Sequence, residues 1–357
     1  MRSRPVRESC PSRSAIACEV VPIEDRKAGL QGVIVIHSTR LGPAGGGCRL
    51  WSYPTMAEAT DDGMRLAAGM SYKNALAGLP LGGGKAVLRK PDGDFCRQAL
   101  FEAFGLAVER LGGRYVTAED VGTSVADMAL VSRRTGHVAG LARRANRPGG
   151  DPSPHTARGV FLAMRCAVER RLGRSLGDVT VAVQGLGHVG YELCRLLHAE
   201  GARLIVAEPR SDVAARAAVE FGAEVAGTGS IVDAAADVFA PCAMGGVLDS
   251  RSVPRLKASV VCGAANNQLA DPALGALLAD RGVLYAPDYL VNAGGIINVA
   301  AEYLGWATAE VDERIAAIPA RLAEVLDRAE RTERPTGDVA DEMAREVLSG
   351  APVTALQ

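Results

Sequence analysis

Alternating and helical patterns of apolar residues divide the first part of the chain into short strands and two long helices. Strands are predicted at residues 16–21, 33–37, 86–88 and 114–118. Helices are predicted at residues 56–70 and 95–111, where apolar residues recur at helical spacing. Thr55 is a suitable N-cap for the first helix, and Glu58 stands where a capping box places its second member. This mixture predicts an α/β domain.

The second half of the chain repeats a strand-then-helix pattern. Residues 141–154 are rich in Arg, Gly and Pro and predict a hinge, after which a helix is expected at 156–172. Strands are predicted at residues 179–184, 203–207, 223–226, 238–240, 260–262 and 283–285. Such alternation predicts a doubly wound, mainly parallel sheet. Two late amphipathic helices, at 310–332 and 338–348, are expected to fold back onto the first domain.

A glycine fingerprint stands near the start of this second domain. A strand runs into Gly185-Leu186-Gly187-His188-Val189-Gly190, a helix follows, and Glu208 ends the next strand, 23 positions beyond Gly185. In this context Gly185 permits a tight turn, Gly187 lets backbone approach a pyrophosphate, and Gly190 lets helix pack on strand. The pattern predicts a dinucleotide site at a helix N-terminus.

The acidic residue bears on the choice between NAD and NADP. Glu208 is expected to bind the hydroxyls of the adenosine ribose, which favours NAD. Arg210 and Ser211 are close by and could accept the 2′-phosphate of NADP, so the sequence leaves both cofactors open. Loops at strand ends, at residues 241–243, 263–267 and 287–295, are built largely of small residues and suit a flat nicotinamide ring.

Two lysines in glycine-rich, apolar surroundings are candidates for chemistry. The chain has five lysines, and since Lys+Arg is 40, it has 35 arginines. Lys73 and Lys85 stand near glycine clusters at 45–47 and 82–84. A buried lysine can give up its proton and an arginine cannot, so these two lysines suggest proton transfer. Asp120 follows a predicted strand, where a carboxylate is equally suited to catalysis or to a helix N-cap.

Composition argues against several classes of function. The net charge is −1 with no long run of one sign, which argues against nucleic acid or an anionic membrane surface as a partner. No apolar run reaches the roughly 18 residues of a membrane span. Eight scattered cysteines without a CxxC pair predict no metal site and a reducing, cytoplasmic location. Residues 1–14 are expected to form a disordered basic tail.

Seven motifs occur in an order that is found in a known family. They are GPAGGGCRLW, GMSYKNALAGLPLGGGKAV, YVTAEDVGT, VQGLGHVG, APCAMGG, GAANNQL and YAPDYLVNAGGIINVA, within roughly residues 16–345. The chain resembles the Glu/Leu/Phe/Val (amino acid) dehydrogenases, most closely their leucine and phenylalanine branch. The resemblance implies reversible, NAD(P)-dependent oxidative deamination of an L-amino acid to its 2-oxo acid and ammonia, and Glu208 makes NAD the expected cofactor.

The family's architecture gives the expected domains. The resemblance implies an N-terminal α/β substrate domain and a C-terminal Rossmann NAD-binding domain, with the active-site cleft between them. Residues 15–145 would form the substrate, catalytic and oligomerisation domain, completed by C-terminal helices at about 310–357. Residues 146–309 would form the Rossmann domain. A homo-oligomer is expected, although the N-terminal segment that often makes subunit contacts in this family is short here.

The resemblance also assigns roles to individual residues. Lys73 matches the lysine that pairs with the substrate α-carboxylate, and Lys85 matches the catalytic lysine, which would activate the attacking water. Asp120 matches the carboxylate that moves a proton to and from the amino group. Asn267 and Asn292 match asparagines near the amino group and the nicotinamide. The other residues expected at the cofactor are Thr156, Gly185, Leu186, Gly187, His188, Val189, Gly190, Glu208, Ala240, Pro241 and Ala264.

By the same resemblance, the pocket for the substrate side chain is expected to be lined by Gly45, Ala118, Ile296 and Val299, and Gly46 is also expected to bind the substrate. Glutamate enzymes carry a lysine in place of Gly45 and a hydroxyl residue in place of Val299, so a glutamate side chain would be buried unpaired here. Leucine enzymes commonly have a leucine where Gly45 stands. The missing leucine side chain leaves space in the pocket, which predicts a bulky apolar substrate, with aromatic amino acids favoured over branched-chain ones. If Trp51 or Met70 fills that space instead, a leucine or valine enzyme is predicted.

Two other functions fit the sequence less well. A dinucleotide-binding protein without activity would share the fold, but Lys73, Lys85 and Asp120 occur together in unbroken motifs. A hydroxy-acid dehydrogenase would need a catalytic histidine. The five histidines are expected to be structural or surface residues, and no chemistry is expected of the cysteines near the site loops, which are Cys48, Cys242 and Cys262.

Overall fold

The chain divides into two compact units in a computed structural model, which describes residues 6–9, 17–142 and 148–350. Unit 1 contains the described residues up to Asp151, together with Ile297–Val311 and the residues from Ala344 onward. Unit 2 contains Pro152–Ile296 and Asp312–Met343. This division differs from the predicted domains, because most of the region beyond residue 310 belongs to unit 2.

Unit 1 is built on a mixed sheet of seven strands. The strands are β1 (Val6–Ser9), β2 (Ala17–Asp25), β3 (Leu30–Ser38), β4 (Ala44–Gly45), β5 (Cys48–Trp51), β6 (Gly82–Arg89) and β7 (Tyr115–Val116). Their order is β1-β2-β3-β6-β4-β7, and β5 pairs with β6. Strands β1, β2, β3 and β6 are mutually antiparallel, whereas β4 and β5 run parallel to β6.

Helices cover both faces of this sheet. The helices of the first part of unit 1 are α1 (Met56–Leu76), α2 (Arg97–Glu109) and α3 (Val125–Val131). Because side chains alternate along a strand, Val33 and Val35 of β3 join the apolar cluster with α1, whereas Ile34 and Ile36 join the cluster with α2 and α3. Thr55 caps α1 as predicted, since its side chain accepts from the Glu58 N–H at 3.2 Å.

Three glycines that were predicted to flank elements lie inside a strand. Gly82, Gly83 and Gly84 open β6, which was predicted only at 86–88. A Cβ on Gly83 would lie 2.1 Å from the backbone nitrogen of Ser71 in α1, and one on Gly82 would lie 1.8 Å from the carbonyl oxygen of Ser38. The glycines therefore let a helix and a neighbouring strand pack directly against the backbone of β6. Lys73, which is beyond the helix predicted at 56–70, lies in α1.

Unit 2 is a six-stranded parallel sheet. Its strands are β8 (Thr180–Gln184), β9 (Arg203–Ala207), β10 (Glu224–Val225), β11 (Val238–Pro241), β12 (Val260–Val261) and β13 (Leu284–Tyr285). Their order is β10-β9-β8-β11-β12-β13. Counted within the unit this is 3-2-1-4-5-6, the Rossmann order, which places the change of direction beside β8. The doubly wound dinucleotide-binding fold predicted from the sequence is thereby confirmed.

Helices complete the second half of the chain. They are α4 (Ser153–Leu172), α5 (His188–Ala199), α6 (Ser211–Phe221), α7 (Leu274–Asp280), α8 (Asp288–Val291), α9 (Gly294–Leu304), α10 (Thr308–Ala316), α11 (Ile318–Thr332) and α12 (Thr336–Ser349). Helix α11 packs against α4, where Arg170 bonds to Glu330 at 2.7 Å and to Asp327 at 2.6 Å. This packing explains why residues 312–343 belong to unit 2.

Several predicted elements differ from the observed ones. The single helix expected at 310–332 is two helices, because Pro319 cannot donate a backbone hydrogen bond and stands at the start of α11. The loop expected at 287–295 contains α8 and the start of α9. Val6–Ser9, predicted to be disordered, pairs with β2 and covers its edge. The predicted hinge includes residues 143–147, and the first predicted strand includes Ile16; both lie outside the described residues.

Candidate active site

Lys85, on an interior strand of the unit 1 sheet, forms an ion pair with Asp120. Lys85 is the fourth residue of β6, its side chain is 6% exposed, and its Nζ lies 2.8 Å from Oδ2 of Asp120. Asp120 follows a parallel bridge between Cys48 and Glu119. Gly47 permits this arrangement, because a Cβ there would lie 2.9 Å from the Cβ of Asp120. Two residues proposed separately for catalysis are therefore in direct contact.

A second cation also contacts the Asp120 carboxylate. Nε of Arg49, in β5, lies 3.1 Å from the same Oδ2 atom. Burial by itself would raise the pKa of Asp120, but the charges of Lys85 and Arg49 outweigh it and hold that pKa below its ordinary value. Asp120 is therefore ionised at neutral pH.

The sequence left open whether Asp120 caps a helix, and the structure assigns that role elsewhere. Ser124 is the N-cap of α3 and forms a capping box with Asp127. Asp120 is instead held by Thr123, whose hydroxyl accepts from the Asp120 N–H at 2.8 Å. The Asp120 side chain is thus used for the pair with Lys85 and Arg49.

The residues of unit 1 that are predicted to contact the substrate lie on α1 and beside the short strands β4, β5 and β7. Lys73 is half-buried in the last turn of α1. The next residue, Asn74, donates to the carbonyl of Gly82 at 2.6 Å, so the end of α1 is fixed to the start of β6. Gly46 donates its backbone N–H to Val116 at 3.1 Å, and Ala118 accepts one from Cys48 at 2.8 Å.

The space beside Gly45 contains a residue that the sequence did not indicate. A Cβ on Gly45 would lie 3.2 Å from Cδ1 of Leu81 and 3.5 Å from Nδ2 of Asn74. Met70, considered for this space, is instead next to Gly46, where a Cβ would lie 3.4 Å from its Cγ. Trp51, the other candidate, is 52% exposed. Leu81 therefore supplies part of the apolar wall at Gly45.

The glycine fingerprint of unit 2 has the geometry of a phosphate-binding turn. Gly185 has a φ of +91°, which disfavours any residue with a side chain. A Cβ on Gly190 would lie 2.0 Å from the carbonyl oxygen of Gly185, whereas one on Gly187 would have nothing within 4 Å. The N-terminus of α5, which begins at His188, is therefore open to an anionic group. These residues fit a dinucleotide pyrophosphate.

Glu208 lies at this turn, as predicted. Its Oε2 accepts from the Leu186 N–H at 2.8 Å, and its Oε1 accepts from Nε of Arg210 at 2.7 Å. The Arg210 hydrogen bond is the largest of the effects that hold the pKa of Glu208 below its ordinary value. Glu208 is therefore a carboxylate beside the fingerprint, and Arg210, the competing candidate for a 2′-phosphate, is paired with it.

The remaining predicted residues of unit 2 lie at the ends of parallel strands and on the helices that follow. Nδ2 of Asn292, which is 4% exposed, donates to the Ala264 carbonyl at 3.0 Å and to Oδ1 of Asn266 at 2.9 Å. Asn267 is exposed and has a φ of +52°. Ala240 and Pro241 end β11 and are buried, and Thr156 lies in the first turn of α4. Ile296, in unit 2, and Val299, in unit 1, are half-buried and lie three residues apart on α9.

Sequence reasoning missed three residues that support Asp120. NH1 of Arg49 lies 2.9 Å from Oδ2 of Asp62 in α1, and the Tyr53 hydroxyl donates to the same oxygen at 2.5 Å. Arg49 stands within the GPAGGGCRLW motif, but one arginine among 35 carries no signal of its own.

Burial raises the pKa of the Cys48 and Cys262 thiols, which stay protonated at neutral pH.

Comparison with known proteins identifies the family. A model for the Glu/Leu/Phe/Val dehydrogenase dimerisation domain matches residues 14–137, and a model for Glutamate/Leucine/Phenylalanine/Valine dehydrogenase matches residues 208–348. A leucine dehydrogenase from Geobacillus stearothermophilus is 46% identical over 92% of this chain and 89% of its own length. A valine dehydrogenase from Streptomyces albus is 45% identical, over 93% and 92%.

Solved structures agree with this assignment. L-tryptophan dehydrogenase from Nostoc punctiforme superimposes with a TM-score of 0.81 at 37% identity, covering 93% of this chain and 95% of its own. A hetero-hexameric glutamate dehydrogenase from Thermus thermophilus, at 24% identity and a TM-score of 0.75 over 94% and 88%, shares the fold. Within the described ranges, no helix has the length and apolar character that a bilayer crossing requires.

The fold, the fingerprint and the lysine–aspartate pair thus belong to an oxidoreductase that acts on the CH–NH2 group of an amino acid with a dinucleotide, NAD(P). The chain is a member of the Glu/Leu/Phe/Val dehydrogenase family and falls in its leucine branch.

Proposed function

We propose that this enzyme catalyses the reversible oxidative deamination of an apolar L-amino acid, with Lys85 and Asp120 as its proton-transfer groups. The observation that carries the proposal is the buried 2.8 Å contact between Lys85 and an ionised Asp120. Asp120 takes a proton from the substrate ammonium, because the nitrogen must be neutral before it can stabilise the charge left by hydride departure. NAD, when bound, accepts that hydride from the substrate Cα.

Lys85 acts on the water that completes the reaction. Once the substrate carbon is electrophilic, Lys85, after releasing its own proton to solvent, removes a proton from the attacking water, and Asp120 returns its proton to the nitrogen that leaves as ammonia. In the amination direction the same transfers run in reverse. Lys73, half-buried at the end of α1, binds the substrate α-carboxylate by charge. Asn292 and Asn267 orient the amino group and the nicotinamide amide, and Thr156, Ala240, Pro241 and Ala264 line the cofactor.

The proposed cofactor is NAD rather than NADP. Support comes from the ionised Glu208, whose carboxylate would repel a 2′-phosphate and accept from a ribose hydroxyl. Glu208→Gln keeps an oxygen for the Leu186 N–H and removes the charge. We expect the variant to raise kcat/KM for NADP by about tenfold or more, which corresponds to about 1.4 kcal/mol, and to lower it for NAD. Adding Arg210→Gln should abolish the gain; an unchanged cofactor ratio in Glu208→Gln would contradict the proposal.

The proposed substrates are the branched-chain amino acids leucine and valine. The leucine and valine dehydrogenase relatives at 45–46% identity support this class, as does Leu81 beside Gly45, which narrows the space that glycine would leave. Aromatic substrates are the second candidate. The missing side chain at Gly45 and the 37% identity to a tryptophan dehydrogenase favour them.

A substrate panel distinguishes the two candidates. Initial rates of NADH formation would be measured with L-leucine, L-valine, L-isoleucine, L-phenylalanine, L-tryptophan and L-glutamate. We expect the highest kcat/KM for leucine or valine and the lowest for glutamate. Leu81→Ala should shift the preference toward phenylalanine, whereas Leu79→Ala, a matched truncation of a buried neighbour, should not. A wild-type enzyme that prefers tryptophan or phenylalanine would favour the second candidate.

We also infer that the enzyme is a homo-oligomer. The inference is supported by the description of the family model that matches residues 14–137, which is a dimerisation domain. Light scattering coupled to size exclusion should give a mass that is a multiple of 37.1 kDa. A mass equal to that of one chain across the working concentration range would contradict this.

A further inference from the structure

Arg49 connects the Asp120 carboxylate to a second carboxylate on α1. It uses different nitrogens for the two contacts, Nε for Asp120 at 3.1 Å and NH1 for Asp62 at 2.9 Å. Asp62 is itself held by Tyr53 at 2.5 Å and by Arg65 at 2.5 Å. The Arg49 side chain is 21% exposed and therefore partly shielded from water. Two nitrogens of the guanidinium are each bonded to a carboxylate. Its position relative to Asp120 is therefore set by β5, which carries Arg49, and by α1, which carries Asp62.

Two cations share one oxygen of Asp120, but only one of them can lose its charge. Both Lys85 and Arg49 contact Oδ2. In the proposed reaction Lys85 gives up and regains a proton, and each time it is neutral its attraction for Asp120 is lost. A guanidinium stays charged at any working pH. Arg49 therefore supplies the charge that does not vary during turnover.

We propose that Arg49 is a positioning residue for the reaction, whose guanidinium, held by Asp62, keeps the Asp120 carboxylate oriented and ionised while Lys85 changes its protonation state. This rests on the proposed function of the Lys85–Asp120 pair. It explains why a partly buried arginine stands between two carboxylates of different elements. A lysine could not contact both from fixed positions, because its single ammonium is a point charge on a flexible stem.

The other titratable groups around Asp120 do not replace this charge. Cys48 of β5 and Tyr115 of β7 both have pKa values raised well above their ordinary ones by burial, so both are neutral. Burial also raises the pKa of the adjacent Glu119, with Asp151 and Glu302 adding to the effect. The cations that lower the pKa of Asp120 are Lys85 and Arg49.

The test measures the titration of Asp120 directly and through activity. Infrared pH-difference spectra, with the Asp120 band assigned by its loss in Asp120→Asn, give the Asp120 pKa whether or not a variant is active. The acidic limb of kcat/KM against pH reports the same group in the free enzyme. In Arg49→Gln we expect both to move to higher pH by about one unit or more, the size expected for losing a close opposite charge. Turnover should fall with little change in KM for the dinucleotide.

Matched variants separate this role from a general loss of charge or fold. Arg65 is the other arginine bonded to Asp62, and its guanidinium does not contact Asp120. Arg65→Gln should therefore leave the Asp120 pKa unchanged. Arg49→Lys keeps the charge and should bring the acidic limb back toward that of the wild type. Asp62→Asn keeps a side-chain oxygen that can accept from Arg49, so the guanidinium stays in position, but it removes a negative charge. The acidic limb should therefore stay where it is or move to lower pH, opposite to Arg49→Gln. This variant decides the question if Arg49→Gln does not fold.

The outcomes are distinguishable. Three results would overturn the role of Arg49. The Asp120 pKa in Arg49→Gln could equal that of the wild type, Arg65→Gln could raise it as much as Arg49→Gln does, or Asp62→Asn could raise it. Absence of activity of the wild-type enzyme on every amino acid of the panel would overturn the proposed function. The infrared titration would still decide whether Arg49 keeps Asp120 ionised.

Discussion

At the scale of single residues, Lys85 differs from the other lysines in its surroundings. Its side chain is 6% exposed and lies 2.8 Å from Asp120, whereas Lys90, five residues later, is exposed. If Lys85 transfers protons, Lys85→Ala should lower kcat by roughly 100-fold or more, with NAD binding nearly unchanged. Lys85→Arg should not restore activity, because arginine keeps its proton.

Lys90→Ala is the matched control for this change. Steady-state rates and dinucleotide fluorescence titration on the three variants give kcat and cofactor affinity separately. Lys90→Ala should behave as the wild type. A Lys85→Arg enzyme with substantial activity would show that the position needs only a positive charge, which is incompatible with proton transfer.

The sequence indicated some site residues and hid others for a compositional reason. Five lysines in a chain with 35 arginines make each lysine informative, and two of them, Lys73 and Lys85, lie in the glycine-rich region. The same composition makes Arg49 hard to identify, because its sequence neighbourhood does not distinguish it from the other arginines. Its importance appears only when β5 and α1 bring it between Asp62 and Asp120.

At the scale of elements, two glycines near the proposed site have opposite requirements. A Cβ on Gly83 would lie 2.1 Å from the Ser71 backbone nitrogen, so Gly83→Ala would force α1 away from β6. Gly69 lies within α1 with nothing within 4 Å of a Cβ. Gly69→Ala should stabilise the protein by about 0.5–1 kcal/mol, because alanine favours the helix. Gly83→Ala should instead destabilise the protein, by about 2 kcal/mol or more.

Thermal unfolding of the two variants tests this packing. The midpoint should rise in Gly69→Ala and fall clearly in Gly83→Ala. Equal midpoints in the two variants would show that α1 is not packed directly on the β6 backbone.

Elements were predictable where local chemistry determines them. The fingerprint turn, the Thr55 cap and strand β9 follow from residues that are close in sequence, and all three agree with the structure. The start of β6 was not predictable, because three consecutive glycines disfavour a strand, and only contact with α1 and β3 requires glycine at Gly82 and Gly83. Residues 297–311 and 312–343 could not be assigned to units from the sequence, since helical spacing does not indicate which surface a helix covers.

At the scale of the whole molecule, a buried histidine makes stability depend on pH. His37 is 3% exposed, lies 2.7 Å from the Ser71 hydroxyl, and has a pKa lowered to about 4 by burial. Below about pH 6.5 the unfolded chain binds a proton at this residue that the folded chain does not. The stability is therefore complete above pH 6.5 and decreases as the pH falls toward 4, by about 3 kcal/mol.

Urea unfolding followed by tryptophan fluorescence measures this loss in the appropriate unit, since Trp51 and Trp306 are both in unit 1. His37→Gln should be less stable at pH 7 but should lose about 3 kcal/mol less than the wild type between pH 6.5 and 4. Parallel slopes for wild type and His37→Gln would mean that His37 is protonated equally in both states.

The last helix of unit 1 determines when that unit can be completed. Leu348 is 1% exposed, Arg40 donates to the Leu348 and Ser349 carbonyls at 3.4 and 3.3 Å, and Arg345 bonds to the Tyr72 hydroxyl at 3.3 Å. During synthesis from the N-terminus, the sheet around Lys85 is made long before residues 345–349, which contact Arg40 and Tyr72. Domains made first commonly fold first, but here the N-terminal segment of unit 1 must leave the surface near Arg40 and Tyr72 uncovered until residue 349 has been synthesised. The unit that contains Lys85 and Asp120 can therefore be completed only after that point, even though both residues lie in its N-terminal segment.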